Sequence, residues 1–600
     1  MSKRQHFEDA VSVVADWLDC DEAKKTTRRV SHPPEGSAAA WDIDLKGDFP
    51  LITSVRLVLP AAFPAEPCFF AVAKDLELEV PHVERGGQLC LRTSPSQQDF
   101  DHPIGAVQRA FDHLLNNFLR KLGETGWRET EFHKERITYW NLHCTDPRRH
   151  TRIERQIGNV YLDATGLDRW ALGDVVGLLR PNTKHARFTR QVVSLDGDPL
   201  DVAKRHRWAD GTVVKGKALV VRLPSTYLWT PMHWPRSPDE LEHLIRDATD
   251  GEASLRGLFD SARKLFKEHS SASKVRTSRD GRQSDKPHAA PQLHILLVQD
   301  GAVFGYQMQH VGIFTPSRFT IEPFSADRID ADWALARDSN LPELHALRAQ
   351  RVLLLGAGSL GSPVAHLLAR SGLGSLTIVD REMMDSENTA RHLLGMPHLA
   401  AAKAPQLAEE LRRLVPGANI VGVCAEATAW LEKHAHQHEF DLVVDCTAES
   451  SVRIYLAKTR DRLIAGVPIA HAWLEPLCSA AHVVLTHPDT PWPATDPTDD
   501  LVNASNLSAD ETRIQLPACS GGFHPYGAAD VTQAAAFAAE RVLQVLAEPE
   551  TNSCVWSWVR SVAFFERLNL PVETRAIVPR LGGPLDVATT TRSLSEVLGQ

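Results

Sequence analysis

The stretch Arg351-Val-Leu-Leu-Leu-Gly356-Ala-Gly358-Ser-Leu-Gly361 carries a short apolar strand straight into a G-x-G-x-x-G turn. A run through Val364 to Arg370 continues it with helical spacing, so the pattern reads strand, glycine turn, helix. Glycines allow the tight turn and let a phosphate approach the backbone, while the helix N-terminus presents aligned N–H donors. Gly356, Gly358 and Gly361 are therefore candidate phosphate-binding residues. The next apolar strand, Ser375-Leu-Thr-Ile-Val-Asp380, ends in an acid placed to bind a ribose hydroxyl. From about residue 335 onward strands and helices alternate cleanly, which predicts a Rossmann-like parallel sheet.

The residues downstream separate this turn from that of a dehydrogenase. Asn388 and Arg391 lie three apart, and Lys403 comes twelve residues later. Two cations and an amide suit a reaction at a triphosphate, where negative charge must be spread as pyrophosphate leaves. An NAD oxidoreductase would leave this set without a purpose. A further strand, Phe440-Asp-Leu-Val-Val-Asp445-Cys-Thr-Ala448, puts Asp445 at a carboxyl end, where open α/β sheets hold their ligands.

These residues resemble the ThiF/MoeB/ubiquitin-activating family of adenylating enzymes over roughly 340–550. The resemblance implies ATP- and Mg²⁺-dependent adenylation of a protein's C-terminal carboxylate in a homodimeric domain. By it Gly356, Gly358 and Gly361 bind phosphate, Asp380 binds the ribose, and Asn388, Arg391 and Lys403 handle the triphosphate. The family usually places an acid where this chain has Ala448, so Mg²⁺ falls to Asp445 or Glu449, with Asp445 favoured.

The whole chain has 600 residues, enough for three or four domains of about 100–200 residues. It is 43% apolar and 24% charged, with a formal net charge of −10, which gives no basic footprint for nucleic acid. No apolar run approaches a membrane span, and the start at Met1-Ser-Lys-Arg-Gln-His has no signal core. Nine scattered cysteines without a CxxC fit reduced thiols, and the expected location is cytoplasmic.

Before residue 145 the periodicity predicts a helix over 7–20, strands at 38–45, 51–60 and 68–73, and a helix over 103–122. This α+β segment contains Phe63-Pro-Ala-Glu-Pro67, Val80-Pro-His-Val83 and Gly86-Gly-Gln-Leu-Cys90-Leu91. In order and spacing these motifs resemble the ubiquitin-conjugating fold. The resemblance implies that Cys90 carries a thioester and that His82 stands where the family keeps its oxyanion-stabilising Asn. A histidine can donate a hydrogen bond to a developing oxyanion, so the exchange is chemically tolerable.

A second thiol is expected near an acyl-adenylate that is to be forwarded. Cys519 sits in Leu516-Pro-Ala-Cys-Ser-Gly-Gly-Phe-His-Pro-Tyr-Gly527, a Gly- and Pro-rich loop just before a helix. Loop exposure beside a helix N-terminus favours a reactive thiol. Family members also commonly carry a Cys at this junction. Cys446, Cys478 and Cys554 lie in apolar runs and read as core.

The expected organisation is α/β multidomain: a conjugating-like domain at 1–145, a mixed α/β region at 146–334, and an adenylation domain at 335–600. The middle region has strands at 188–194, 217–222 and 292–298 and a helical stretch at 237–247. Its polar stretch 268–290 reads as a mobile loop that would let Cys519 and Cys90 meet. The chain as a whole resembles bacterial conjugating–activating fusions of CBASS antiphage operons. That resemblance implies a cGAS-like nucleotidyltransferase as the donor of the C-terminal carboxylate and lysines on other molecules as acceptors. A free-standing ubiquitin-like donor is the alternative within the class. A sulfur-carrier adenylyltransferase, in which Cys90 has no role, is the alternative outside it.

Overall fold

The computed structural model describes residues 3–45, 49, 51–91, 99–145, 157–180, 187–279, 290–310, 319–335, 341–415, 417–507, 512–515, 522–523, 525–548 and 552–599. It divides into two compact units, residues 1–328 and 329–600. The break expected near 145 falls inside the first of them.

The first unit opens with the helix Lys3–Leu18 and an antiparallel sheet of β1 (Thr27–Arg29), β2 (Ser37–Asp44), β3 (Ser54–Pro60) and β4 (Phe69–Ala71), in that spatial order. Alternation along β2 and β3 sends Ala39, Trp41, Val55, Leu57 and Leu59 to one face. There they meet Val14 and Leu18 of the first helix and Ala106, Val107, Ala110 and Leu114 of the helix Pro103–Leu114. That second helix is regular only to Leu114; a π turn at Leu115–Leu119 and a 3₁₀ turn at Lys121–Gly123 complete the run expected over 103–122.

The strands of the mixed α/β middle region close into a barrel. Strands β5 (Asn159–Asp163), β6 (Trp170–Leu179), β7 (Phe188–Ser194), β8 (Thr212–Arg222), β9 (Gln292–Gln299), β10 (Ala302–His310) and β11 (Phe319–Arg328) close in the order β10-β11-β5-β7-β6-β8-β9. One face of these strands packs Val160, Leu162, Val175, Val193, Val220, Leu296, Val298 and Phe324 together. The other face of β8, β9 and β10 packs against the helices Pro238–Ala248 and Leu255–Arg279, which is why β9 is buried at every position. Trp140, on the helix Arg136–Cys144, enters this second cluster beside Trp229, Trp234, Phe304 and Tyr306, and its Nε1–H donates to the Phe324 carbonyl at 3.0 Å. The last helix before residue 145 thus shares a core with the barrel, and this makes residues 1–328 one unit.

The mobile-loop reading of 268–290 is corrected over its first half. Residues 268–279 continue the helix Leu255–Arg279, while 280–289 lie outside the described residues. Leu258, Phe259 and Ala262 anchor the start of that helix in the core, and a nucleated helix extends through polar residues without needing a buried face of its own.

The second unit is a twisted eight-stranded sheet. Its strands are β12 (Arg351–Leu355), β13 (Ser375–Asp380), β14 (Asn419–Cys424), β15 (Leu442–Asp445), β16 (Ile469–Leu474) and β17 (Ala480–Thr486), with the short β18 (Ile514–Gln515) and β19 (Gly522–Phe523) forming a separate hairpin, then β20 (Cys554–Arg560) and β21 (Val587–Ser593). The order is β14-β13-β12-β15-β16-β17-β20-β21. Strands β14 to β16 in that order are parallel, and β17, β20 and β21 add on antiparallel. Such parallel strands are buried on both faces, which explains their unbroken apolar runs. On one face lie the helices Gly361–Arg370, Lys403–Leu414 and Ala528–Ala547; on the other lie Ala427–His434 and Ser450–Leu463.

Candidate active site

The carboxyl ends of β12, β13 and β15 converge on an open cleft of about 110 Å³. It is lined by Gly356, Gly358, Asp380, Glu382, Thr447 and Glu449, among others. Gly356 holds a φ of +85°, and a Cβ there would stand 2.8 Å from the Thr447 amide. At Gly361 a Cβ would stand 2.0 Å from the Gly356 carbonyl oxygen, because the turn folds its own start against the first residue of the helix. That helix, Gly361–Arg370, has no side-chain cap at its N-terminus, which suits an anion held by its first amides. Gly361→Ala is accordingly expected to abolish ATP binding in calorimetry, since the clash is with backbone and cannot be relieved by a rotamer change.

Asp380 faces the cleft, and its carboxylate also braces the turn. Oδ2 accepts from the Ala357 N–H at 2.6 Å and Oδ1 from the Glu382 N–H at 2.7 Å. Burial pushes its pKa up, and the two amide donors oppose that shift. Lys403 opens the helix Lys403–Leu414, is only 3% exposed, and places Nζ 2.5 Å from the Glu382 carboxylate. Asn388 ends a 3₁₀ turn, where its Oδ1 accepts from the Asp385 N–H at 3.2 Å in a capping box.

Arg391 lies with its guanidinium carbon 4.6 Å from the centre of the Tyr526 ring, and the Tyr526 hydroxyl is 2.6 Å from Ser359 Oγ of the glycine turn. Tyr526 belongs to the same Gly- and Pro-rich stretch as Cys519, but nothing in its spacing marks it in the sequence. His392 is unmarked for the same reason. Its Nδ1 accepts from the Leu394 N–H at 2.9 Å, so the ring proton sits on Nε2 and is donated to the Ala357 carbonyl at 2.6 Å.

Burial lowers the His392 pKa from 6.5 to about 4. The folded chain therefore prefers the neutral ring, and the unfolded chain takes up the proton first on acidification. Stability from this group is fully present above pH 6.5 and is lost as pH falls toward 4, amounting to about 2 kcal/mol by pH 5. Thermal midpoints measured from pH 7 to pH 5 are expected to fall less in His392→Gln than in the wild-type chain.

Asp445, expected as the metal ligand, is 1% exposed and does not line the cleft. Its Oδ1 accepts from the Thr447 N–H and hydroxyl at 3.1 and 2.7 Å, and its Oδ2 lies 2.8 Å from His471 Nδ1. Burial opposes ionisation of Asp445, and the His471 contact leads the interactions that outweigh it, so its pKa ends lowered. Asp445 thus ties down the Thr447 backbone that lies against Gly356. The cleft-facing acid at this point of the chain is Glu449, which pairs with Arg381 at 3.4 Å. Among the described residues no cluster of three or more His, Cys, Asp or Glu side chains forms a metal cage. This donor set fits Mg²⁺ arriving on a triphosphate, an ion that needs only one or two protein carboxylates.

In the first unit Cys90 is exposed, and its N–H donates to the His82 carbonyl at 2.8 Å. His82 has a φ of +61°, and its imidazole lies 3.3 Å from the Glu131 carboxylate and 3.4 Å from that of Glu135. The ring expected at the oxyanion is thus held by two carboxylates. The group missed here is Tyr139, whose hydroxyl accepts from the His82 N–H at 2.7 Å and donates to Glu135 at 3.1 Å. Burial pushes the phenol's pKa up, and the charges of Glu135 and of nearby Cys90 add to that shift.

Cys519 lies outside the described residues. Of the competing thiols, Cys446, Cys478 and Cys554 are buried, and burial pushes Cys478 and Cys554 up to about 12. Cys424 is exposed at the end of β14, its Sγ 3.7 Å from the Arg381 carbonyl. No helix among the described residues is long and apolar enough to cross a membrane.

Residues 332–554 match the ThiF family, and residues 3–147 match prokaryotic E2 family B. The ATP-dependent ubiquitin transferase-like protein Cap2 of Pseudomonas aeruginosa is 29% identical over 37% of this chain and 40% of its own length. Cap2 of Enterobacter hormaechei is 31% identical over 34% of each. The adenylyltransferase and sulfurtransferase uba4 of Aspergillus fumigatus is 34% identical over 21% of this chain and 25% of its own. The matched stretches thus span well under half the length of these relatives. The chain thus joins a segment that matches prokaryotic E2 family B to a segment that matches the ThiF family.

Proposed function

We propose that this chain adenylates the C-terminal carboxylate of a donor protein, relays the acyl group through two cysteines, and joins it to an amine. The observation that carries the reading is the presence, in one chain, of a glycine-turn cleft whose lining residue Glu382 pairs with Lys403 and of an exposed Cys90 in a segment that matches prokaryotic E2 family B. Similarity to ubiquitin transferase-like proteins supports it.

The donor carboxylate attacks the α-phosphorus of ATP, and pyrophosphate leaves as Arg391 and Lys403 neutralise its growing charge. Mg²⁺, when bound with the triphosphate, adds to that neutralisation, and Glu449 and Glu382 are the carboxylates that would hold it. The Cys519 thiolate then attacks the acyl carbon and releases AMP. Transfer to the Cys90 thiolate returns the Cys519 thiol. Attack by an acceptor lysine amine gives an isopeptide bond and frees Cys90.

The donor in this reading is a cGAS-like nucleotidyltransferase, and the setting is CBASS antiphage defence. A test is ATP–pyrophosphate exchange with that protein, repeated after deletion of its last residues. Exchange that needs the intact C-terminus supports the reading, and exchange indifferent to it counts against it. The uba4 similarity favours a second reading, activation of a sulfur carrier, in which Cys90 has no part.

The working unit in this reading is a homodimer. Met383, Leu393, Met396 and Leu399 are 45%, 37%, 63% and 38% exposed on one short excursion after β13, an apolar display that a partner surface would cover. Light scattering is expected to give twice the chain mass, and Met396→Asp with Leu399→Asp to give the single-chain mass.

A further inference from the structure

We propose that Tyr526 is a positioning residue for the adenylation step, setting the guanidinium of Arg391 over the glycine turn; this rests on the adenylation reading and deepens it. Tyr526 makes two contacts that join Arg391 to the glycine turn. Its ring face lies 4.6 Å from the Arg391 guanidinium carbon. Its hydroxyl is 2.6 Å from the Oγ of Ser359, which sits between Gly358 and Gly361.

The position suits the task. Tyr526 immediately precedes Gly527, the N-cap of the helix Ala528–Ala547. That helix packs its buried Ala534, Ala535 and Ala538 into the same core as Val364, Ala365 and Leu368 of the helix leaving the glycine turn. The tyrosine therefore stands on a rigid base shared with the turn. Arg391 follows a short 3₁₀ turn and is held on its other side by the chain at His392, which donates to Ala357. A flexible arginine on such a turn samples many rotamers, and a ring face gives its delocalised cation one preferred plane.

The consequence is kinetic. A cation held in place before the reaction acts most where charge develops, on the leaving pyrophosphate, so its misplacement lowers kcat more than it raises KM for ATP. The ring carries the effect on Arg391, and the hydroxyl ties the ring to Ser359.

The test is ATP–pyrophosphate exchange by the full-length chain, with a purified cGAS-like nucleotidyltransferase as donor. Tyr526→Leu is expected to lower kcat about 10-fold with KM for ATP changed by less than about 3-fold, and Tyr526→Phe to stay within about 3-fold of wild type. Tyr526→Gln keeps a polar group but lacks the ring, so it should follow Leu and not Phe. In an Arg391→Ala background, Tyr526→Leu should have no further effect beyond about 2-fold, because the residue acts through the arginine. An undiminished kcat in the Leu and Gln variants overturns the proposal, as does an equal further loss in the Arg391→Ala background. A Phe variant as damaged as Leu does the same. Absence of exchange in the wild-type chain would instead remove the adenylation reading itself.

Discussion

Cys90→Ala is expected to abolish isopeptide products altogether while donor-dependent ATP–pyrophosphate exchange continues. In the proposed relay the two readouts separate, because exchange would need only the glycine-turn cleft, whereas the final transfer would need a thiol in the segment that matches prokaryotic E2 family B. The Cys90 side chain is exposed and its backbone is tied to His82, so alanine removes the sulfur without opening a cavity. A fold effect is therefore excluded as the cause of lost product, and unchanged melting behaviour checks that. Gel electrophoresis of donor conjugates reads the outcome. Persisting conjugates would make Cys90 a spectator and favour sulfur-carrier activation.

Lys403→Ala is expected to lower the exchange rate by about 10²–10³-fold, the size seen when one preorganised charge-stabilising group is lost. The side chain is nearly buried, whereas its partner Glu382 is 60% exposed. Removing the cation therefore strands no buried charge, and the loss of stability is modest beside the loss of rate. Lys403→Arg should not rescue it, because a larger planar head does not fit where the ammonium is enclosed at the first turn of its helix. Steady-state exchange kinetics with saturating ATP check this. A rate within a few-fold of wild type would show that the ion pair with Glu382 is only structural.

The glycine turn and the parallel sheet were legible because they are local. A run of apolar residues ending in G-x-G-x-x-G states both a strand end and a close approach of backbone, and Gly356 and Gly361 have the required geometry. The helices and sheet before residue 145 were legible from their periodicity for the same reason. The barrel was not, since its closure depends on β5 lying between β7 and β11, pairings that join residues about 30 and 165 positions apart. Trp140 entering the barrel cluster is a long-range contact of the same kind.

At the sites, residue type suggested a role, whereas the partners of each side chain come from distant parts of the chain. Asp445 stands at the expected end of its strand, where His471 on the neighbouring strand pairs with it in register, a partner 26 residues away that the spacing does not announce. His82 falls at the expected offset from Cys90, and its ring is paired with two glutamates that lie 49 and 53 positions further along the chain. Tyr526 and Tyr139 act through partners 167 and 57 residues distant, a relation that no spacing in the chain announces.

The central claim is that an acyl group activated in the ThiF segment reaches Cys90. Cys90→Lys tests it most directly, because an amine in place of the thiol turns a transient thioester into a stable amide. The chain would be expressed with its donor candidate, purified, and its tryptic peptides searched by mass spectrometry for an adduct on the introduced lysine. The account predicts the donor's C-terminal residue joined there through an isopeptide bond, dependent on Lys403. An unmodified lysine, with the donor present and exchange active, would contradict the relay.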